Sequence, residues 1–227
     1  MAPRFGIILD VGAHWLGSVF HVEHSGFGPT DFAVATGVSR ETLRRLEVFV
    51  EMLAEWNARV NLVSEASLLH VWHRHILDCA QLFPLIPKTA RVVLDLGSGA
   101  GFPGMVLALM GVQGLCLVES RGKKIQFLNA VAVATDTEVN VFNGRIEALR
   151  NISADVIIAR ALAPLDQLLG YGEGLCAPNA IQLYLKGQSF EDELTRAKQS
   201  WNMDVELYKS QTNSECSIIK IHNFSRV

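Results

Sequence analysis

Val92-Val93-Leu94-Asp95-Leu96-Gly97-Ser98-Gly99-Ala100-Gly101-Phe102-Pro103-Gly104 sets the architecture of this chain. A short apolar run ends in an acid and passes directly into a loop with glycine at 97, 99, 101 and 104, and an apolar stretch over residues 105–110 follows. A strand, a glycine-rich turn and a helix in that order place a ligand against bare backbone at the mouth of a parallel sheet. Glycine suits the turn because no Cβ blocks a tight bend or a closely approaching ligand.

Downstream, short apolar runs recur at 91–96, 115–119, 138–142, 155–159 and 181–185, with later ones at 205–208 and 218–221. At least 12 residues separate each of the first five from the next, room for crossover helices. This repetition predicts a mostly parallel sheet with helices on both faces. The last two runs flank a short polar turn over residues 212–215 and predict a closing antiparallel hairpin. Upstream, Ser39 is a helix cap, and Leu43, Leu46, Val50, Leu53 and Val60 form one apolar stripe, with Asn57 to Asn61 breaking the pattern. A second helix begins at Ser64, runs through Leu68, Trp72 and Ile76, and stops at Pro84 and Pro87. Gly26, Gly28 and Pro29 mark a break before the folded part. The predicted organisation is an irregular extension over residues 1–30, a helical region over 31–88 and an α/β domain over 89–227.

At 227 residues, 49% hydrophobic and 19% charged, the chain has the composition of a folded domain. A net charge of -3 argues against a general electrostatic nucleic-acid binder but allows a local basic face. Cys79, Cys116, Cys176 and Cys216 are far apart with no CxxC, which reads as buried thiols in a reducing compartment. No apolar run reaches the roughly 18 residues of a spanning helix, and the N-terminus lacks the pattern of a signal peptide. A cytoplasmic protein with no membrane segment is expected.

Two ligands compete for the glycine loop. Gly99-x-Gly101-x-x-Gly104 with Glu119 twenty residues past Gly99 matches the dinucleotide fingerprint. In the frame that begins directly after the strand, at Gly97, the third glycine position holds Phe102. Asp95 also sits where a pyrophosphate would be unwelcome. An acid there suits a cation-bearing nucleoside such as S-adenosylmethionine, whose ribose hydroxyls would bond both carboxylate oxygens of Glu119.

Asp95 to Gly104 resembles the signature of the bacterial small-subunit ribosomal RNA guanine-N7 methyltransferases (RsmG, also called GidB). Further segments agree in order: Trp56-Asn57 with Asn61-Leu62, Arg74-His75-Ile76-Leu77-Asp78, Glu119-Ser120-Arg121-Gly122-Lys123-Lys124 with Phe127-Leu128, Arg160-Ala161, and Leu185-Lys186-Gly187-Gln188. The resemblance covers roughly residues 40–220 and departs from the pattern at Glu119, where aspartate is frequent, and at Ala159, where serine is common. It implies a Rossmann-like S-adenosylmethionine-dependent methyltransferase fold, a seven-stranded mostly parallel sheet with an N-terminal helical extension. It implies methyl transfer from S-adenosyl-L-methionine to N7 of guanine 527, in the 530 loop of 16S rRNA, within the small ribosomal subunit or an assembly intermediate, with no DNA partner. Alternatives are a methyltransferase of the same fold acting on another RNA or a small molecule, and a non-catalytic cofactor-binding module.

Cofactor contacts implied by the resemblance and the loop reading are Asp95, Gly97, Gly99, Phe102, Glu119, Ile146, Glu147 and Arg160. Ile146 as plain core and an Arg145–Glu147 ion pair stand as structural alternatives. Arg74, His75, Arg121, Lys123, Lys124 and Lys186 are candidates for a basic rim that holds RNA, with a solvated charged surface as the alternative. Guanine N7 carries its own lone pair and needs no deprotonation before it attacks a sulfonium. No general base, nucleophile or metal is expected, and His70, His73 and His75 read as surface or RNA-facing imidazoles.

Overall fold

The computed structural model describes residues 26–227; the expected extension over residues 1–30 lies almost entirely outside them. Helix α1 (Pro29–Thr36) begins inside the stretch expected to be a break. The reason is local: Pro29 occupies the first helical turn, the Asp31 carboxylate accepts the Gly28 N–H at 2.8 Å, and Gly37 closes the helix at φ +67°. Helix α2 (Arg40–Val60) is capped by Ser39, whose hydroxyl accepts the Thr42 N–H at 3.1 Å. It continues through the expected break at Asn57. Asn57 is buried, and its Oδ1 accepts the N–H groups of Leu62 at 2.8 Å and Val63 at 2.9 Å. The polar residue therefore satisfies backbone beyond the helix end, and Asn61 makes the turn at φ 48°.

The second expected helix is a chain of short pieces. Helix α3 (Glu65–Leu68) is followed by a π-helix (Trp72–Leu77), α4 (Asp78–Ala80) and a 3-10 turn (Phe83–Leu85). The sheet then opens with β1 (Val93–Leu96), α5 (Gly104–Leu109), β2 (Leu115–Glu119), α6 (Gly122–Ala134) and β3 (Asn140–Asn143). It continues with β4 (Ala154–Arg160), α7 (Leu165–Glu173), β5 (Cys176–Lys186), α8 (Phe190–Ala197), β6 (Trp201–Lys209) and β7 (Ser217–Arg226). Strand order is β3-β2-β1-β4-β5-β7-β6, parallel throughout except for β7, which runs antiparallel to β5 and β6. This is the expected seven-stranded sheet with its closing hairpin. No α-helix fills the crossover from β3 to β4; a 3-10 turn (Ile146–Ala148) stands there instead.

Two cores cover the sheet. Phe49 and Leu53 of α2, Met105 and Leu107 of α5 and Phe127 and Leu128 of α6 pack with Val93 on one face. Leu165, Leu168 and Leu169 of α7 and Ala197 of α8 pack with Leu94 and Leu96 on the other. The N-terminal helices thus share a core with the sheet: Phe49 lies 5.4 Å from the ring centre of Phe102 and 6.1 Å from that of Phe127. Strand alternation puts Asp95 on the same side of β1 as Val93, under α5 rather than in the open. All four cysteines are free thiols, but only Cys79 is buried as expected; Cys116, Cys176 and Cys216 are half-buried. No helix among the described residues is long and apolar enough to cross a membrane.

Candidate functional site

The loop after β1 depends on backbone that side-chain-bearing residues rarely adopt, with φ +68° at Gly97, +57° at Gly99 and +92° at Gly101. Within 4 Å, a Cβ on Gly99 would meet only the Lys124 Nζ at 3.7 Å and the Gly97 carbonyl at 3.8 Å, so the backbone there is uncrowded. Glu119, at the end of β2, ties the loop to the neighbouring strand. Its Oε2 accepts the Gly99 N–H at 2.9 Å, and its Oε1 accepts those of Ser120 and Arg121, both at 2.8 Å. Two donors fill Oε1, which leaves spare acceptor capacity on Oε2 alone. This corrects the expectation that both oxygens are free for ribose hydroxyls.

Asp95 lies beneath the loop with no exposed surface. Its Oδ2 accepts the Gly104 N–H at 3.1 Å, whereas its Oδ1 is buried with no partner among the described residues. Burial pushes its carboxyl up to about 7, against the lowering effect of the Ser98 and Gly104 hydrogen bonds and of Arg160. A ligand cation at the loop would meet this acid through its field rather than by an open contact. A glycine cradle, an orphaned buried oxygen and one spare acceptor on Glu119 fit a cation-bearing nucleoside.

Beside the loop, four side chains converge. The Arg160 guanidinium, at the end of β4, stands 4.7 Å over the centre of the Phe102 ring. Its Nη1 donates to Asp78 Oδ2 at 3.2 Å, and its Nη2 to His75 Nδ1 at 3.0 Å. The His75 ring stacks on Phe102, with centres 4.8 Å apart and 18° between planes. Because Arg160 donates to Nδ1, the proton of the neutral ring sits on Nε2, which is buried with no partner among the described residues. Burial, then Arg160 and Arg74, lower the His75 pKa to about 3. The Asp78 carboxylate also accepts the Thr212 hydroxyl at 2.9 Å and so fastens the β6–β7 turn to this cluster.

The cluster forms one wall of a cavity of about 910 Å³ at the C-terminal ends of β4 and β5, whose lining includes His70, His73, Arg74, Leu162 and Lys186. Leu162 faces both compartments: it lines this cavity, and its Cδ1 would lie 2.5 Å from a Cβ placed on Gly97.

The remaining expected residues fall into separate places. Ile146 and Glu147 lie in the 3-10 turn after β3, with Ile146 half-buried against the second core and Glu147 exposed. Arg121 and Lys123 are exposed at the start of α6, and Lys124 overhangs the glycine loop. Arg74 is exposed on the π-helix. Lys186 does not stand out as an open rim cation. Its side chain is 8% exposed, and its Nζ donates to the Ala163 carbonyl at 2.6 Å and to Glu193 Oε2 at 2.7 Å. No group of three or more His, Cys, Asp or Glu among the described residues is arranged to hold a metal.

Sequence reasoning passed over Asp78, Leu162 and Glu193. Asp78 closed a recognised segment but had no partner to suggest its role. Leu162 and Glu193 carry no local signal, since their significance arises only where the β4 loop meets β1 and β5.

The sequence profile of the GidB family, described as rRNA small subunit methyltransferase G, matches residues 42–218. A ribosomal RNA small subunit methyltransferase G of Paramagnetospirillum magneticum is 47% identical over 88% of this chain and 97% of its own length. One from Rhodospirillum centenum is 46% identical over 86% of this chain and 90% of its own length. In fold, the chain is similar to an O-methyltransferase from Bacillus cereus solved in complex with SAH, with a TM-score of 0.53, 14% identity, and 78% and 91% of the two chains covered. The sheet order and the glycine loop are those of the Rossmann-like S-adenosylmethionine-dependent methyltransferase fold, and the extent of the sequence match places this chain in the rRNA small subunit methyltransferase G family.

Proposed function

We propose that the chain transfers a methyl group from S-adenosylmethionine to N7 of one guanine, guanine 527 in the 530 loop of 16S rRNA. The acceptor is the small ribosomal subunit or one of its assembly intermediates, in the cytoplasm. Family membership supports the coarser part, methyl transfer to small-subunit rRNA.

The observation that supports an acceptor atom needing no deprotonation is the state of His75. This imidazole lies at the junction of the glycine loop and the cavity, its Nδ1 lone pair is engaged by Arg160, and its pKa is held at about 3. It is a poor acceptor for a substrate proton at neutral pH. A site built this way suits an acceptor atom that carries its own lone pair, and guanine N7 is one.

When bound, S-adenosylmethionine supplies a methyl group activated by its sulfonium. The chain's own residues then have positioning work. The glycines leave room for the ligand, Glu119 Oε2 keeps acceptor capacity for a hydroxyl, and Asp95 contributes negative charge under the loop. Ile146 and Glu147 serve the adenine side, and Phe102 and Leu162 keep water from the junction. Arg160, fixed by Asp78 and His75, stands ready to orient ligand or acceptor. Holding acceptor and donor in line removes about 7–11 kcal/mol of barrier in well-oriented systems. Arg74, Arg121, Lys123 and Lys124 contact phosphates. With a net charge of -3, the chain recognises folded RNA in a particle by shape rather than by general attraction.

The test is transfer from labelled S-adenosylmethionine to three acceptors: small subunits from a strain lacking the enzyme, naked 16S rRNA, and free guanine nucleotides. Label in the 16S rRNA of subunits is expected. Label in free nucleotides only overturns the RNA reading, and donor binding without transfer to any acceptor marks a non-catalytic module.

A further inference from the structure

The β4–α7 loop passes from Arg160 to Leu165 and forms the boundary between the glycine loop and the acceptor cavity. Its first residue is fixed by Asp78 and His75. Its second, Ala161, adopts φ +51°, a conformation that L-residues hold only when their surroundings impose it. Leu162 follows, 37% exposed yet packed against Gly97. The position of this side chain against Gly97 is set by the backbone that carries it.

The pin at the far end is Lys186. Two of its three ammonium donors are spent inside the protein, on the Ala163 carbonyl at 2.6 Å and on Glu193 Oε2 at 2.7 Å. The same Glu193 oxygen accepts the Leu165 N–H at 2.9 Å, and the other accepts the Ser189 hydroxyl at 3.0 Å. Strand β5, the start of α8 and both ends of the Ala163–Leu165 turn are thereby joined through one part-buried ion pair. A lysine meant to grip a phosphate would hold its ammonium in solvent; this one faces inward.

We propose that Lys186 is a positioning residue for methyl transfer: through Ala163 and Glu193 it fixes the β4–α7 loop so that Leu162 stands between the glycine loop and the acceptor cavity. This rests on the reading of that cavity as the acceptor site. Loss of the pin lets the loop drift, and the acceptor base then loses its register against the methyl group while the phosphate contacts stay unchanged.

The experiment compares wild type, Lys186→Met and Leu162→Ala in steady-state transfer to small subunits at several salt concentrations. For Lys186→Met the expected result is a kcat lowered about 10- to 100-fold, the range a small misplacement produces. KM for subunits stays within about threefold, and the slope of log(kcat/KM) against log salt is unchanged. Leu162→Ala, a change at a partly exposed side chain, reproduces the kcat loss and keeps the test open if Lys186→Met does not fold. The proposal is overturned if Lys186→Met raises KM for subunits and reduces the salt slope by about 1, the mark of a lost phosphate contact. It is equally overturned if kcat is unchanged in either variant. Wild-type transfer separates the two readings: label absent from 16S rRNA overturns the acceptor assignment and the proposal together, whereas label present with a phosphate-type Lys186 overturns the proposal alone.

Discussion

Asp95→Asn separates the stability of the fold from its function. In the folded chain the Asp95 carboxyl is raised from 3.8 to about 7, chiefly by burial. The folded state therefore holds this proton more tightly than the unfolded state between about pH 4 and pH 7. The contribution of Asp95 to stability falls as pH rises through that window and levels off above it. At about 1.4 kcal/mol per pH unit, the ionised carboxylate costs the fold on the order of 4 kcal/mol at pH 8. Asparagine keeps an oxygen for the Gly104 N–H but sets an amide NH₂ where Oδ1 has no partner, at a cost of about 1–3 kcal/mol. The variant is expected to match wild type near pH 5 and to be about 1–3 kcal/mol more stable at pH 8. It should at the same time bind S-adenosylmethionine at least about tenfold more weakly at pH 8, a loss of about 1.4 kcal/mol. Urea unfolding at the two pH values, with calorimetry of donor binding, measures both. A stability difference between Asp95→Asn and wild type that does not grow from pH 5 to pH 8, or a variant less stable than wild type at pH 8, refutes burial as the cause.

Gly97→Ala places a Cβ at φ +68°, where an L-residue costs about 1–2 kcal/mol; urea unfolding should register that loss, and calorimetry a weaker donor affinity. Glu119→Gln turns an NH₂ toward at least one of three backbone donors, so a loss of about 1–3 kcal/mol is expected. A thermal scan that finds Glu119→Gln as stable as wild type counts against the brace described for it. His75 stays neutral from pH 6 to pH 8 because its pKa lies near 3. With saturating donor, kcat should therefore show no limb near the ordinary imidazole value; such a limb, abolished in His75→Gln, would contradict this. The same lowering makes His75 cost stability as pH falls below about 6.5, where the unfolded chain takes up the proton first.

The fold was readable where local pattern and global packing agree. The β1 run with its glycines, the Ser39 cap and the 205–221 hairpin each carry their signal in adjacent residues, and all appear as expected. Helix α1 was missed because Gly28 and Pro29 mark a break as readily as a helix start, and only the Asp31 bond to Gly28 distinguishes them. Asn57 misled for a similar reason: its polarity serves backbone five and six residues ahead. At the candidate site, the glycine loop and Glu119 were legible as neighbours, but the contacts of Asp78, Leu162 and Glu193 were not. That Asp95 is sealed under the loop follows from the alternation of β1 and the cover of α5, and the inward turn of Lys186 follows from Glu193, on α8 just outside the recognised segments. Side-chain direction at a strand end is set by what packs there, which a single sequence does not spell out.

The proposed function is methylation of one nucleotide at an atom that needs no deprotonation. Its most direct measurement is nucleoside mass spectrometry with position mapping of 16S rRNA, after unmodified small subunits have been incubated with the protein and labelled S-adenosylmethionine. A single labelled product, 7-methylguanosine at guanine 527, is expected. Label at another ring atom or another nucleotide, or none despite calorimetrically verified donor binding, would contradict it.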